Sequence, residues 1–285
     1  LKSVVPRLQN RAPAARIPPA NYEDGMRTWI ILIVALMAFP TSGTAQETDA
    51  QAATYQAAAR ATYQEGLSEL ADADYLDAAR LFNQVRARFS YSQYAPLAEL
   101  RLGDVYFGEE KFTTAIEQYR GFIKLHPSHA EVPYAAWKVA QAFVGQVPDD
   151  WFFMPPAYEK DQARTRDAQR ELKFFIAKYP ESKYGSEAKK QLSKVRRQLA
   201  DHELYVAEFY LKKSNYRAAA GRLTGLLKDF NGLGLDARAL TLLAHCYIAL
   251  GDLNKAKAAL QDLVEFHPND PLSEQARDYL ASHRL

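Results

Sequence analysis

Ala78 and Ala115 stand 37 residues apart in this 285-residue chain, and Ala219 and Ala256 repeat that interval. Each comes four residues before a large apolar side chain: Phe82, Tyr119, Leu223 and Leu260. Self-similarity at a fixed step outranks local signals, because a short repeat cannot bury its apolar face alone and must stack on its neighbours. The step therefore requires a row of helical hairpins. Such a row offers an extended binding surface in place of an enclosed catalytic pocket.

The second unit is the clearest. It reads Leu102-Gly103-Asp104-Val105-Tyr106, then Phe112, Ala115, Tyr119, Phe122 and Pro127. Small Gly103 and Ala115 let two helices approach closely, and the rings of Tyr106, Tyr119 and Phe122 fill the seam between them. Pro127 cannot continue a helix and ends the hairpin. This is the tetratricopeptide pattern, whose unit is about 34 residues, so the longer step leaves roughly three residues of extra turn. Four looser copies surround it. The first uses Gly66, Ala78 and Phe82, and the third uses Tyr134, Trp137, Phe143, Ala168, Leu172, Phe175 and Pro180. The fourth carries Tyr210, Tyr216, Ala219 and Leu223, and the fifth Leu243, Tyr247, Gly251, Ala256, Leu260 and Pro268. The expected fold is all-α, a tetratricopeptide-like superhelix of about five helical hairpins.

Two intervals break the rhythm. Ala115 to Ala168 is 53 residues, with the surplus at 145–164, a Pro- and aromatic-rich stretch containing Trp151-Phe152-Phe153-Met154-Pro155-Pro156. Ala168 to Ala219 is 51 residues, and no Pro or Gly falls between Ser186 and Tyr216. There Leu192, Val195, Leu199, Val206 and Phe209/Tyr210 keep a three-or-four spacing, which predicts one long helix from about Tyr184 to Lys213. That helix would separate an N-terminal array, 54–183 with an insertion at 145–164, from a C-terminal array, 184–285.

Residues 1–25 are rich in Pro, Arg and Ala and precede Met26; they read as a mis-set start or a disordered extension. Residues 26–45 have the order of a secretory signal: Arg27, the apolar run Trp29–Phe39, then Pro40 and small residues to Ala45. The run is shorter than the roughly 20 apolar residues that span a bilayer. Residues 46–53 are expected to form a short polar linker. The lone cysteine, Cys246, cannot form an internal disulfide, so an exported fold would rest on packing alone. A net charge of +2 gives no electrostatic case for nucleic acid.

Catalytic and metal readings fail on spacing. His245 and Cys246 are adjacent, about 100° apart on a helix, and cannot face one ion together. His126 and His129 flank Pro127 with no further ligand nearby in the sequence, and no phosphate loop, nucleophile elbow or paired-His helix occurs. Neither enzyme activity nor a cofactor is expected.

Several segments resemble the BamD family of the outer-membrane β-barrel assembly (BAM) machinery of Gram-negative bacteria. They are 89–95 (FSYSQYA), 122–129 (FIKLHPSH), 179–184 (YPESKY) and 199–210 (LADHELYVAEFY) followed by 215–219 (NYRAA). The likeness covers about 55–230. It implies a periplasmic scaffold at the inner face of the outer membrane. The partners it implies are the POTRA domains of BamA, other BAM subunits and unfolded outer-membrane proteins. The family's BamA-facing arginine matches Arg222, and a guanidinium suits that task because its planar fork can pair with a carboxylate.

Family members are usually anchored through an acylated Cys after the signal core. None occurs near Ala38–Gln46, so membrane association is expected to be indirect. Trp151, Phe152 and Phe153 of the insertion are candidates for docking a partner or for folding back onto the core. Tyr63, Tyr91 and Tyr94 are candidates for a groove that holds an extended client segment. The basic stretch Lys189, Lys190, Lys194, Arg196 and Arg197 reads as a solvated helix face or a contact for acidic groups. The same repeat type also serves scaffolds of cell-envelope and division coordination, or of secretin and pilus assembly. Envelope coordinators usually begin with a coiled coil, for which 46–53 is too short.

Overall fold

The computed structural model describes residues 42–148 and 155–283. Among these, eleven α-helices and one short 3₁₀ turn account for all regular structure. The helices are α1 (Ser42–Ala71), α2 (Tyr75–Arg88), α3 (Tyr94–Gly108), α4 (Phe112–Leu125), α5 (Val132–Gly145) and α6 (Ala163–Lys178). They continue with α7 (Gly185–Lys212), α8 (Tyr216–Asp229), α9 (Asp236–Ala249), α10 (Leu253–Phe266) and α11 (Pro271–Ser282). Thr54–Leu285 forms one compact unit, in which every helix from α2 onward packs on the next. That unit is the tetratricopeptide-like stack: the part of α1 from Thr54 onward pairs with α2, hairpins α3–α4, α5–α6, α7–α8 and α9–α10 follow, and α11 packs on α9 and α10.

Glycine sets the seams. A Cβ on Gly66 would stand 2.8 Å from the Phe82 ring, and one on Gly103 would stand 2.5 Å from Tyr119. The second pair is the first moved on by one repeat. Between hairpins the same rule holds, with Gly108 against Tyr75 at 2.4 Å and Gly145 against Phe112 at 2.5 Å. Only hydrogen fits at these four positions, so ring and backbone meet directly. Phe82 and Tyr119 are completely buried as a result, and Phe122 and Phe175 are almost as fully buried in the neighbouring seams.

Four of the hairpin turns share one construction. Ala73, Glu110, Ser214 and Gly251 take left-handed φ angles of 61°, 59°, 56° and 74°. The next N–H in each case reaches back to the last turn of the preceding helix, as Asp74 N–H to Glu69 O at 2.8 Å and Asn215 N–H to Tyr210 O at 2.9 Å. This left-handed C-terminal cap satisfies carbonyls that the helix leaves open. In three turns the following side chain caps the next helix: Asp74, Asn215 and Asp252 accept from the N–H of Asp77, Ala218 and Lys255.

The long helix α7 falls one residue inside the expected Tyr184–Lys213 at each end. Residues 46–53, expected as a linker, belong to α1; they carry Ala and Gln and no Gly or Pro, which favours continuing the helix. In the insertion, the described residues 155–162 lie on α7. His202 Nδ1 donates to the Tyr158 carbonyl at 2.6 Å, and the Tyr158 and Tyr205 rings are 5.7 Å apart. Gln162, buried, donates to the Ala157 and Lys160 carbonyls and so ties the loop to itself. Among the described residues no helix is long and apolar enough to cross a membrane. The apolar run 29–39 lies outside them.

Candidate functional site

Arg222 sits midway along α8, facing Glu203 of α7 across the fourth hairpin. Its Nη1 donates to Glu203 Oε2 at 3.0 Å. Among the described residues this is the guanidinium's one hydrogen bond, and the Arg222 side chain remains 44% exposed. The pair borders a groove of about 480 Å³ whose other lining includes Tyr210, Asp229 and Phe230. Gly221 and Gly225 form part of its wall, and a Cβ on either would meet nothing within 4 Å. Backbone is therefore open to a visitor here, beside an arginine that Glu203 holds in place. A surface pair of this kind is worth at most about 1 kcal/mol to folding. Its value lies in pre-orienting the fork, since an ordered side chain loses less entropy on binding.

The three groove tyrosines take different places. Tyr63 is buried: its ring lies 5.8 Å from Phe82 and 5.5 Å from Tyr94, which is itself half-buried. Tyr91 is 93% exposed, and its N–H donates to the Tyr55 hydroxyl at 3.3 Å. The structure thus packs Tyr63 and Tyr94 together in the first seam and leaves Tyr91 alone on the surface. Trp151, Phe152 and Phe153 lie outside the described residues.

A polar cluster that sequence reasoning did not single out joins the first three units. Asp104 is 8% exposed and accepts from Arg101 at 2.6 Å, Tyr119 at 2.7 Å and Tyr134 at 2.8 Å. Arg101 Nε in turn donates to the Tyr63 hydroxyl at 3.2 Å, and Lys138 Nζ is 4.0 Å from Asp104 and 3.7 Å from the centre of the Phe107 ring. Burial, with the Asp104 charge adding to it, lifts both phenols well above their usual range. Burial opposes the charge on Arg101, but Asp104 outweighs it and the guanidinium is held more firmly protonated. Burial lowers Lys138, against the pull of Asp104. The signal was present: Asp104 is a charge between Leu102-Gly103 and Val105-Tyr106, where an apolar seam leaves it no water.

The basic stretch divides in two. Lys189, Lys190 and Lys194 are exposed. Arg196 donates to the Asp229 carbonyl at 3.0 Å and Arg197 to the Leu233 carbonyl at 2.7 Å, tying α7 to the end of α8 and to the segment that follows it. Cys246 is fully buried in α9, and among the described residues no cluster of His, Cys, Asp or Glu has the arrangement of a metal site.

Comparison with known proteins gives these features a setting. A family profile described as YfiO, outer membrane lipoprotein, matches residues 55–263. The outer membrane protein assembly factor BamD of Neisseria meningitidis serogroup A is 26% identical over 255 residues, covering 87% of this chain and 92% of its own. That of Rickettsia prowazekii is 27% identical over 207 residues, covering 73% and 79%. That of Caulobacter vibrioides is 26% identical over 223 residues, covering 78% and 68%. Among solved structures, the TPR2AB domain of yeast Sti1 in complex with pHSP90 aligns over 80% of this chain and 86% of its own, at 13% identity and a TM-score of 0.41.

Proposed function

We propose a function on one premise: the chain belongs to the YfiO (BamD) outer membrane lipoprotein family. It is a scaffold of outer-membrane protein assembly, acting without catalysis on the periplasmic side of the outer membrane of a Gram-negative cell. Its C-terminal hairpins grip the POTRA domains of BamA, and its N-terminal hairpins meet unfolded barrel proteins.

The observation that carries the first contact is the Arg222–Glu203 pair beside a groove walled by Gly221 and Gly225. Glu203 fixes one edge of the guanidinium and leaves Nε and Nη2 for a partner carboxylate. A half-desolvated, charge-assisted pair of that kind anchors an interface more than its area suggests. For clients, exposed Tyr91 is the best placed of the three tyrosines, because buried Tyr63 supports the seam from inside. Cys246, fully buried within α9, is no acylation site.

Replacing Arg222 by Glu sets three carboxylates around the groove, with Glu203 and Asp229. BamA recovered with the variant should fall at least tenfold while its helical content and melting stay those of the parent. Undiminished BamA recovery would remove Arg222 from the interface.

A further inference from the structure

The repeat register exposes an exception in the third hairpin. Six residues after the small residue that marks each second helix stand Gln84, Gly121, Phe174, Gly225 and Asp262. Four of these are polar or lack a side chain. Phe174 is a large ring, 55% exposed. It borders a groove of about 340 Å³ between α4 and α6, floored by Ile123 of α4 and by Ala136 and Val139 of α5. Ala136 and Val139 are themselves buried, so the floor is continuous with the core.

The rim is charged, and unevenly. Arg120, Lys124 and Lys178 face a single carboxylate, Glu171. Glu171 already holds Arg120 at 2.8 Å. Lys124 and Lys178 have no ion pair among the described residues; Lys178 Nζ lies over the Phe174 and Tyr179 rings at 5.2 and 5.6 Å. The Arg222 groove has the opposite balance, with Glu203 and Asp229 against one arginine. Within the repeat register, Glu171 occupies the position that Arg222 takes in the fourth hairpin. Two grooves of one stack therefore carry rims of opposite net charge.

We propose that the groove between α4 and α6 is a second docking site. Its occupant is a partner segment with an aliphatic or aromatic side chain flanked by carboxylates. The apolar floor takes the side chain, Phe174 covers one flank of it, and Lys124 and Lys178 pair with the flanking carboxylates. Apolar burial supplies the affinity and the cations supply the selection, since like charge at this rim is repelled. The site lies on other helices than the Arg222 contact and does not depend on it.

The test uses the full chain and two fluorescent peptides, Leu-Phe flanked by three Glu on each side and its Lys-flanked counterpart, followed by anisotropy. The acidic peptide should bind and the basic one should not. Binding should weaken about tenfold in the Lys124→Glu/Lys178→Glu double variant and fall similarly when salt shortens the screening length. Phe174→Ser, which keeps the rim charges, should also weaken it, and Arg222→Glu should leave it unchanged. The substituted side chains are exposed, so melting of each variant should match the parent. Equal binding of both peptides, binding that ignores Lys124, Lys178 and Phe174, or no binding of the acidic peptide would each overturn the proposal.

Discussion

Gly103 and Tyr119 meet so closely that a Cβ on the glycine would stand 2.5 Å from Cε1 of the ring. The ring cannot swing aside, because it is fully buried and its hydroxyl donates to Asp104 at 2.7 Å. Gly103→Ala should therefore destabilise the protein by roughly 1–3 kcal/mol through overpacking, in spite of alanine's better helix propensity. Gly121, in the other helix of the same hairpin, has open space where its Cβ would be. Gly121→Ala should gain up to about 1 kcal/mol. Urea unfolding of both variants checks the contrast; shifts of the same sign would contradict it.

Asp104 should matter to stability more than any exposed ion pair here. Asp104→Asn keeps the shape but leaves Arg101, itself only 21% exposed, without its counter-charge. A loss of about 3 kcal/mol is expected, the scale of breaking a buried pair from one side. A melting temperature equal to the parent's would show that water replaces the carboxylate.

The same cluster sets an alkaline limit. Tyr119 and Tyr134 hold their protons in the folded state well above the usual phenol value. Above pH about 10 the unfolded chain releases those protons and the folded one keeps them. Unfolding then releases protons, so stability is intact below that pH and falls as pH rises beyond it, by at most about 1.4 kcal/mol per pH unit for each group. Lys138, lowered by burial, contributes with the opposite sign in the window just below its usual value of about 10.4. Unfolding followed between pH 9 and 12 should show Tyr119→Phe with a shallower alkaline decline than the parent; an identical slope would refute this assignment.

The seam residues are legible in the sequence because they repeat: Gly66 with Phe82 returns as Gly103 with Tyr119 at the 37-residue step. The long helix is legible because its interior lacks breakers and keeps a helical apolar spacing. What periodicity does not carry is what occurs once. The Asp104 cluster draws on Tyr63, Arg101, Tyr119, Tyr134 and Lys138 from three units, and no local pattern links them. Helix α11 lies outside the repeat pattern, although Asp270 caps it and Pro271 opens it, since it follows the last repeat and belongs to no pair. Arg222 could be placed by resemblance, but its partner Glu203, on the preceding helix, becomes visible only once α7 and α8 are folded together.

The hairpin turns give a further check. Ser214 adopts φ 56°, a left-handed conformation that costs a non-glycine residue of the order of 1 kcal/mol, and the matching position in the fifth hairpin is Gly251. Gly251→Ala should cost about 1 kcal/mol, and Asn215→Ala, which removes the cap on Ala218 N–H, a similar amount. Thermal melts of both variants decide the matter; an unchanged midpoint would mean the turn relaxes to another form.

We propose that the fourth hairpin grips the barrel-forming subunit beside Arg222. Gly225 lies in that groove with nothing within 4 Å of its missing Cβ, so a photo-crosslinking side chain fits there without disturbing the fold. Irradiation in cells followed by mass spectrometry should recover BamA at position 225, and the yield should collapse when Arg222→Glu is added. Recovery of cell-wall synthases or a secretin in place of BamA, or a BamA yield indifferent to Arg222, would contradict the account.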